Sequence, residues 1–303
     1  MKNTLLIMNP CSGTEIGRKS SEKIVEQLSA MGYSVTLMKT KYKGHATEIA
    51  EEFGENYDLI ICCGGDGTLN EIINGIAKLS ANIPVAYIPN GTTNDTAKTL
   101  SLPTSLSGSI KTIQNGVYNK CDIGNFNGRR FFCAVTFGFG ARASFKTKQW
   151  LKNSVGHFAY IISNIMRLSD IKPIEMSVEL DDGKKISGKF VFGAVINTRS
   201  VGGVFKIDKN VFRINDGKFE VVLVRKLKSI AELPPVLTKL IKKEYDNEKI
   251  LLLQSDHVKF TSPQKVSWLI DGEFGGDLTE ATVDNEHQAI EFCCPDSIVF
   301  EKN

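Results

Sequence analysis

Four short, largely apolar runs, Thr4–Met8, Ser34–Met38, Asp58–Cys63 and Val85–Ile88, recur through the N-terminal part of the chain with helix-like stretches between them. Runs without polar alternation fit strands buried on both faces, as in parallel sheets. Between them Ile24, Val25, Leu28 and Met31, then Ala46, Ile49, Ala50 and Phe53, then Leu69, Ile72, Ile73 and Ile76 fall at helical spacing. Gly32 is placed to stop the first of these helices, and a short helix over 95–100 follows the fourth run. Repeated strand–helix units imply an α/β domain, a parallel sheet with helices on both faces.

After Asp122 the pattern changes. Residues 126–137 read as strand, and 142–168 as a helical stretch carrying Lys146, Lys148, Trp150, Lys152, Phe158, Tyr160 and Ile161. Ile174–Leu180 and Ile186–Asn197, joined through Asp181-Asp182-Gly183, read as a hairpin. Phe219–Val224, Ile250–Leu253, His257–Thr261, Val266–Ile270 and Ala289–Phe292 are further strands, interrupted by one helix over 229–243 with Pro234-Pro235 near its start. Two domains are expected: 1–125 as α/β, and 126–293 as a mostly antiparallel β-sandwich, with 294–303 returning to the first. A length of 303 residues agrees with two domains at ~150 residues each.

With 42% hydrophobic and 23% charged residues, the composition is that of a globular protein, and a net charge of +3 from 37 basic and 34 acidic residues gives no footprint for nucleic acid. No apolar run approaches the ~20 residues of a membrane span, and the N-terminus lacks the apolar core of a signal peptide. Seven cysteines without a CxxC, four histidines without metal spacing and strand-like surroundings read as reduced thiols in a cytoplasmic protein.

The turns after the strands carry the chemistry. Gly64-Gly65-Asp66-Gly67-Thr68-Leu69-Asn70-Glu71 follows a buried strand and opens a helix. Its glycines permit a sharp turn and close backbone approach to a ligand, and a helix N-terminus suits a phosphate. Asp66 is unexpected in a pure anion site and fits a metal ion or a basic partner. The plain alternative is a tight strand–helix turn with Thr68 as N-cap. Pro89-Asn90-Gly91-Thr92-Thr93-Asn94-Asp95 and Asn9-Pro10-Cys11-Ser12-Gly13 follow strands in the same way. Three such turns at the carboxyl edge of one sheet would line one crevice, where open α/β sheets bind ligands. The GxxxxGK[ST] loop and the kinase HRD and DFG signatures are absent, and Gly138-Phe139-Gly140 lies outside a βαβ frame, so its match to a dinucleotide fingerprint is a coincidence.

Taken together, NPCSG, GGDGTLNEIINGI, PNGTTND, Asp216-Gly217 and Asp271-Gly272-Glu273 resemble the diacylglycerol kinase catalytic family, most closely its soluble bacterial lipid kinases. The resemblance runs over nearly the whole chain. It implies an ATP-dependent transferase that phosphorylates the hydroxyl of diacylglycerol or a related lipid to give phosphatidic acid. It also implies ATP phosphates on Asn9, Pro10, Cys11, Ser12 and Gly13 and on Gly64, Gly65, Gly67, Thr68, Leu69, Asn70 and Glu71, with Thr40, Gly91, Thr92 and Asn94 nearby. Asp66, Asp95 and Asp122 would form an acidic cluster organising Mg²⁺. Glu273 would be the base that takes the lipid's proton, with Asp271 beside it in the site, and a structural Mg²⁺ would be held by Asp216 and neighbouring main-chain oxygens, with Arg213 and Lys218 flanking. Asn90 and Thr93 depart from the common leucine and glycine of the family's PLGTGND form, which leaves the lipid unassigned.

A primary alcohol is a poor nucleophile, so a carboxylate base is what such a transfer needs. The plain reading of Asp271-Gly272, a hairpin turn, stands beside it, and Asp181-Asp182-Gly183 reads as a turn only. Arg142, Lys146, Lys148 and Lys152 are either a lipid-headgroup contact or a solvated helix face. Lys239, Lys242 and Lys243 read as a solvated face, and Arg18 and Lys19 as residues near a phosphate. The expected partners are a lipid at the inner face of the membrane, visited peripherally, and a second copy of the chain. Two rivals remain: a kinase for NAD or a small soluble alcohol, and a non-catalytic nucleotide- or lipid-binding regulator.

Overall fold

The computed structural model describes residues 2–12, 21–138, 172–201, 205–206, 213–242, 244–245 and 248–295. The chain divides into two compact units, Met1–Ile123 with His287–Asn303, and Gly124–Glu286. The first crossing lies close to the expected 125/126 boundary. The return begins at His287 rather than at 294, because the last strand is far longer than its apolar end suggests.

In the first unit β1 (Lys2–Met8), β2 (Tyr33–Lys39), β3 (Leu59–Gly64) and β4 (Val85–Pro89) pair in parallel in the order β2-β1-β3-β4. The end of the last strand adds in parallel beside β4, with Phe292 opposite Val85. Every residue of β3 and β4 is buried, whereas edge strand β2 is half-exposed along its length. Helices α1 (Ser21–Ala30), α2 (His45–Phe53), α3 (Asp66–Ile76) and α4 (Asp95–Thr99) connect the strands. Ile24 and Leu28 of α1 pack on Leu6, Met8 and Ile61. Helix α5 (Leu106–Asn115) was not expected from the sequence. Ser105 caps it by accepting the N–H of Gly108, and Ile110 and Ile113 enter the same core.

The chain enters the second unit within β5 (Val117–Phe126). There follow β6 (Arg129–Phe131), β7 (Ala134–Gly138), β8 (Ile174–Leu180), β9 (Lys185–Ile196), the short pair β10 (Ser200–Val201) and β11 (Phe205–Lys206), β12 (Phe219–Arg225), α6 (Leu233–Lys242), β13 (Ile250–Ser255), β14 (His257–Ile270) and β15 (Glu273–Cys294). The strand pairs of this unit are antiparallel. Long strands β9 and β14 each serve two partners in turn, β8 along one half and β7 along the other. This wraps the strands around a core of Phe126, Phe137, Phe190, Phe219, Phe260 and Trp268. The rings of Phe126, Phe137 and Phe260 lie 5.0–5.2 Å from that of Trp268, the spacing aromatic pairs favour.

Two strand expectations merge. His257–Thr261 and Val266–Ile270 are one strand, with a register shift between Thr261 and Val266. Pro263 lies in that gap and has no N–H for the ladder. The 289–292 strand is the tail of β15. Helix α6 holds Pro234 and Pro235 in its first turn, where a missing N–H costs nothing. Among the described residues no helix is long and apolar enough to cross a membrane. The expected helical stretch over 142–168, with its basic residues, lies outside the described residues, as do Gly13, Arg18, Lys19 and Lys243.

Candidate functional site

The turns after β1, β3 and β4 are hydrogen-bonded to one another. Asn9 donates through Nδ2 to Thr68 Oγ1 (3.0 Å), and its N–H reaches Cys63 O (3.0 Å). Asn90 donates through its N–H to Gly64 O (2.7 Å) and through Nδ2 to Ser12 O (3.0 Å). Asn9 Oδ1 in turn receives the N–H of Cys11 (2.9 Å), and its carbonyl receives the Ser12 hydroxyl (2.9 Å). Half-buried Pro10 continues the first turn, and Cys11 is exposed.

Gly65 and Gly91 meet face to face. A Cβ on Gly91 would stand 2.7 Å from Gly65 Cα, and one on Gly65 would stand 3.2 Å from Gly91 Cα. At Gly91 a side chain would collide with the facing backbone, and at Gly65 it would press on it. A Cβ at Gly64 would lie 2.7 Å from the Thr68 side chain, while Gly67 faces open space. The second loop is closed by Asn94, a left-handed residue (φ 49°) whose Oδ1 accepts the N–H of Gly91 (2.9 Å) and whose Nδ2 donates to its carbonyl (2.8 Å). Thr92 is exposed on this loop, and Thr40, at the end of β2, is buried with its N–H on Met8 O (2.8 Å).

Thr68 is not the N-cap of α3. The helix begins at Asp66 with extended Gly65 as its cap, a residue with no side chain to bond the first amides. A helix start leaves its first N–H groups without intrahelical partners, so this end presents donors beside two backbones with no side chains. Leu69 is core, and Asn70 accepts from Asn74 Nδ2 (3.1 Å).

The acids of GGDGTLNE both accept backbone N–H groups. Asp66 accepts the N–H of Asp95 on Oδ2 (3.0 Å) and that of Thr96 on Oδ1 (3.1 Å), so it caps α4 from another helix. Burial pushes its carboxyl above the usual carboxylate range, and these hydrogen bonds pull against that shift. Glu71 does the same for α2, accepting the N–H groups of Gly44 (2.9 Å) and Ala46 (3.2 Å). Buried Asp95 lies 3.5 Å from Lys98 Nζ. Asp122 is fully buried and accepts the N–H of Gln288 (2.7 Å), with His287 Nδ1 at 2.9 Å.

Asp66, Asp95 and Asp122, the acids expected to organise Mg²⁺, thus each have partners within the chain. Among the described residues no three His, Cys, Asp or Glu side chains stand close enough to hold a metal ion. Of the residues expected around a second ion, Asp216 Oδ1 accepts the N–H of Lys218 (3.0 Å) in a local turn. The cysteines other than Cys11 are buried, and burial pushes Cys63 up to about 12 and Cys293 to about 11.

In the second unit Asp271 and Gly272 form the two-residue turn between β14 and β15, both with positive φ (48° and 80°), the signature of a type I′ hairpin. Asp271 accepts three backbone N–H groups, from Phe132, Cys133 and Ala134, each at 2.9 Å. Its own N–H returns to Ala134 O (2.9 Å). Glu273 follows the turn. Its Oε2 lies 3.1 Å from Arg129 Nη2, and Arg129 Nη1 donates to Phe274 O (3.1 Å). The Asp181-Asp182-Gly183 hairpin is a turn, and Asp181, accepting the Ser255 hydroxyl (2.7 Å), is held below its ordinary range.

Sequence reasoning passed over Asn90, Arg129 and His287 as site residues. The departure of Asn90 from a common leucine was the available signal for the first, and an Asn-Gly turn followed by two arginines for the second.

The family model for the diacylglycerol kinase catalytic domain matches residues 3–126, and the one for the YegS C-terminal NAD kinase beta sandwich-like domain matches 133–293. A diacylglycerol kinase of Bacillus subtilis is 34% identical over 281 residues, 92% of each chain. One of Staphylococcus aureus is 32% identical over 303 residues, 99% of this chain and 95% of that one. Two solved chains of Bacillus anthracis superpose over 98% of both lengths, one at a TM-score of 0.85 with 25% identity, the other, a diacylglycerol kinase, at 0.78 with 23%. An NAD kinase of Archaeoglobus fulgidus, solved with ATP, superposes at a TM-score of 0.53 with 12% identity and shares the fold.

Proposed function

The chain belongs to the diacylglycerol kinase family and is a kinase, and from that premise we propose that it transfers the terminal phosphoryl group of ATP to the free hydroxyl of diacylglycerol, releasing ADP and phosphatidic acid. The observation that carries the ATP half is the glycine-on-glycine contact of Gly65 and Gly91 beside the uncapped start of α3. Backbone N–H donors with no Cβ in the way suit a polyphosphate. Asn9, Ser12, Thr68 and Asn90 set the spacing of the loops, while Thr92 and Thr40 lie at its margin. Asp66 and Glu71 support the cradle by holding helix starts in place.

For the transfer itself, the lipid hydroxyl oxygen attacks the terminal phosphorus, the bond to the bridging oxygen breaks, and the proton passes to a carboxylate. Glu273 is the acid suited to this. Asp271 has three N–H donors on its oxygens, whereas the Glu273 carboxylate is 37% exposed. Such transfers depend on positioning and charge more than on covalent catalysis. The lipid brings the enzyme to the inner face of the membrane as a peripheral visitor, and a homodimer fits the same reading.

The test is phosphorylation by the full chain of diacylglycerol in mixed micelles, in parallel with ceramide, phosphatidylglycerol, NAD and glycerol. Labelled phosphatidic acid with no labelled NADP is the expected result. Labelling of NAD alone selects the soluble-alcohol rival. ATP binding without turnover on any acceptor selects the regulator.

A further inference from the structure

We infer that Arg129 is the positioning residue of Glu273, an inference that rests on the assignment of Glu273 as the base. A single short segment, Arg129–Ala134, holds the whole turn that carries this glutamate. Its backbone supplies the three N–H groups on Asp271 and receives the N–H of Asp271 in return. That fixes the backbone of the turn, and the Glu273 side chain follows one residue past it. Arg129 restrains that side chain. One guanidinium nitrogen binds Glu273 Oε2 and the other binds the main-chain carbonyl of Phe274, each at 3.1 Å.

The planar fork ties the carboxylate to the backbone of its own strand, a two-point grip that a lysine point charge cannot reproduce. Both side chains are well exposed, 40% and 37%, and an exposed ion pair contributes little to stability. A grip that does little for folding and fixes one carboxylate's direction is suited to a reaction that depends on where a proton acceptor stands. Misplacing such a group by about an ångström can cost ~10²-fold in rate. The neighbouring Arg130 makes a comparable contact elsewhere, with Glu286 (2.6 Å), so it does not substitute for Arg129.

The experiment is steady-state diacylglycerol phosphorylation in mixed micelles by the full chain, comparing wild type, Arg129→Met, Arg129→Lys, Glu273→Gln and the Arg129→Met/Glu273→Gln double variant. The expected result is a kcat loss of about 10- to 100-fold in Arg129→Met, an ATP KM within twofold of wild type, and partial recovery in Arg129→Lys. The double variant should be no slower than Glu273→Gln alone, because Arg129 acts only through that carboxylate. An unchanged kcat in Arg129→Met overturns the inference, as does a loss in the double variant equal to the product of the two single losses. Wild-type kcat in Glu273→Gln overturns the base assignment itself, whatever Arg129→Met does, so the two failures are told apart.

Discussion

In the parallel-sheet unit Asp66 accepts the N–H groups of Asp95 and Thr96, and in the antiparallel unit Asp271 accepts those of Phe132, Cys133 and Ala134. The two acids stand in different folds and do related work. Each is the conspicuous acid of its motif, each is turned onto backbone amides from a distant part of the chain, and each holds a turn in shape. The groups fitted for chemistry lie beside them. In one unit these are the amides at the start of α3 against Gly65 and Gly91. In the other it is Glu273, whose carboxylate the Arg129 side chain binds. In both units an acid held by backbone N–H donors shapes a turn, and the proposed proton transfer falls to Glu273, which follows the second of these turns.

The strongest challenge to this division is Glu273→Gln, which is expected to lower kcat by roughly 10²–10⁴-fold, the range of general acid–base catalysis, with ATP affinity unchanged in steady-state kinetics. Gly91→Val comes next. Its Cβ would collide with the Gly65 backbone, and kcat/KM for ATP should fall by about 10²-fold while the melting temperature drops. Glu220 sharpens the comparison from the other side, as a carboxylate with poor donors. It is 1% exposed, its Oε1 has only a 3.3 Å bond from Gln254, and its Oε2 has no partner among the described residues. Burial pushes its carboxyl up to about 8.

The folded state therefore holds a proton there that the unfolded state loses near pH 4.5, and stability from this site falls as pH rises from about 4.5 to about 8. Melting curves of Glu220→Gln against wild type should diverge across that interval, the variant gaining with pH, and then run parallel above it. A constant difference would remove the argument. Asp66→Asn leaves one of the two α4 amides facing an NH₂ group and should cost about 1–2 kcal/mol in denaturant titrations. The smallest effect is expected for Gly272→Ala, where nothing lies within 4 Å but φ is +80°. The left-handed backbone alone should cost about 1 kcal/mol.

The α/β alternation was legible because unbroken apolar runs and 3.6-residue spacing are local signals, and β1 through β4 lie where those signals stand. Helix α5 was not, since its sequence LSGSIKTIQN carries few apolar residues and begins on an ordinary serine. Strand β15 was legible only at its apolar end, because much of Glu273–Cys294 is exposed. In the site, the glycine turns could be read from their chemistry, but not what each acid faces. Asp66 meets Thr96 from 30 residues away, and Asp271 meets Phe132 from 139. A carboxylate in a motif looks the same whether it awaits a metal ion or caps a helix. Asp66 and Asp122 both accept backbone amides, a role that their place in the sequence does not show.

The division of labour between the two turns is tested most directly by calorimetric titration of ATP into wild type, Gly91→Val and Glu273→Gln, with phosphatidic acid formation measured on the same preparations. The account predicts that Gly91→Val loses nucleotide binding, while Glu273→Gln binds ATP like wild type and forms almost no product. Weakened ATP binding in Glu273→Gln, or intact binding in Gly91→Val, would contradict it.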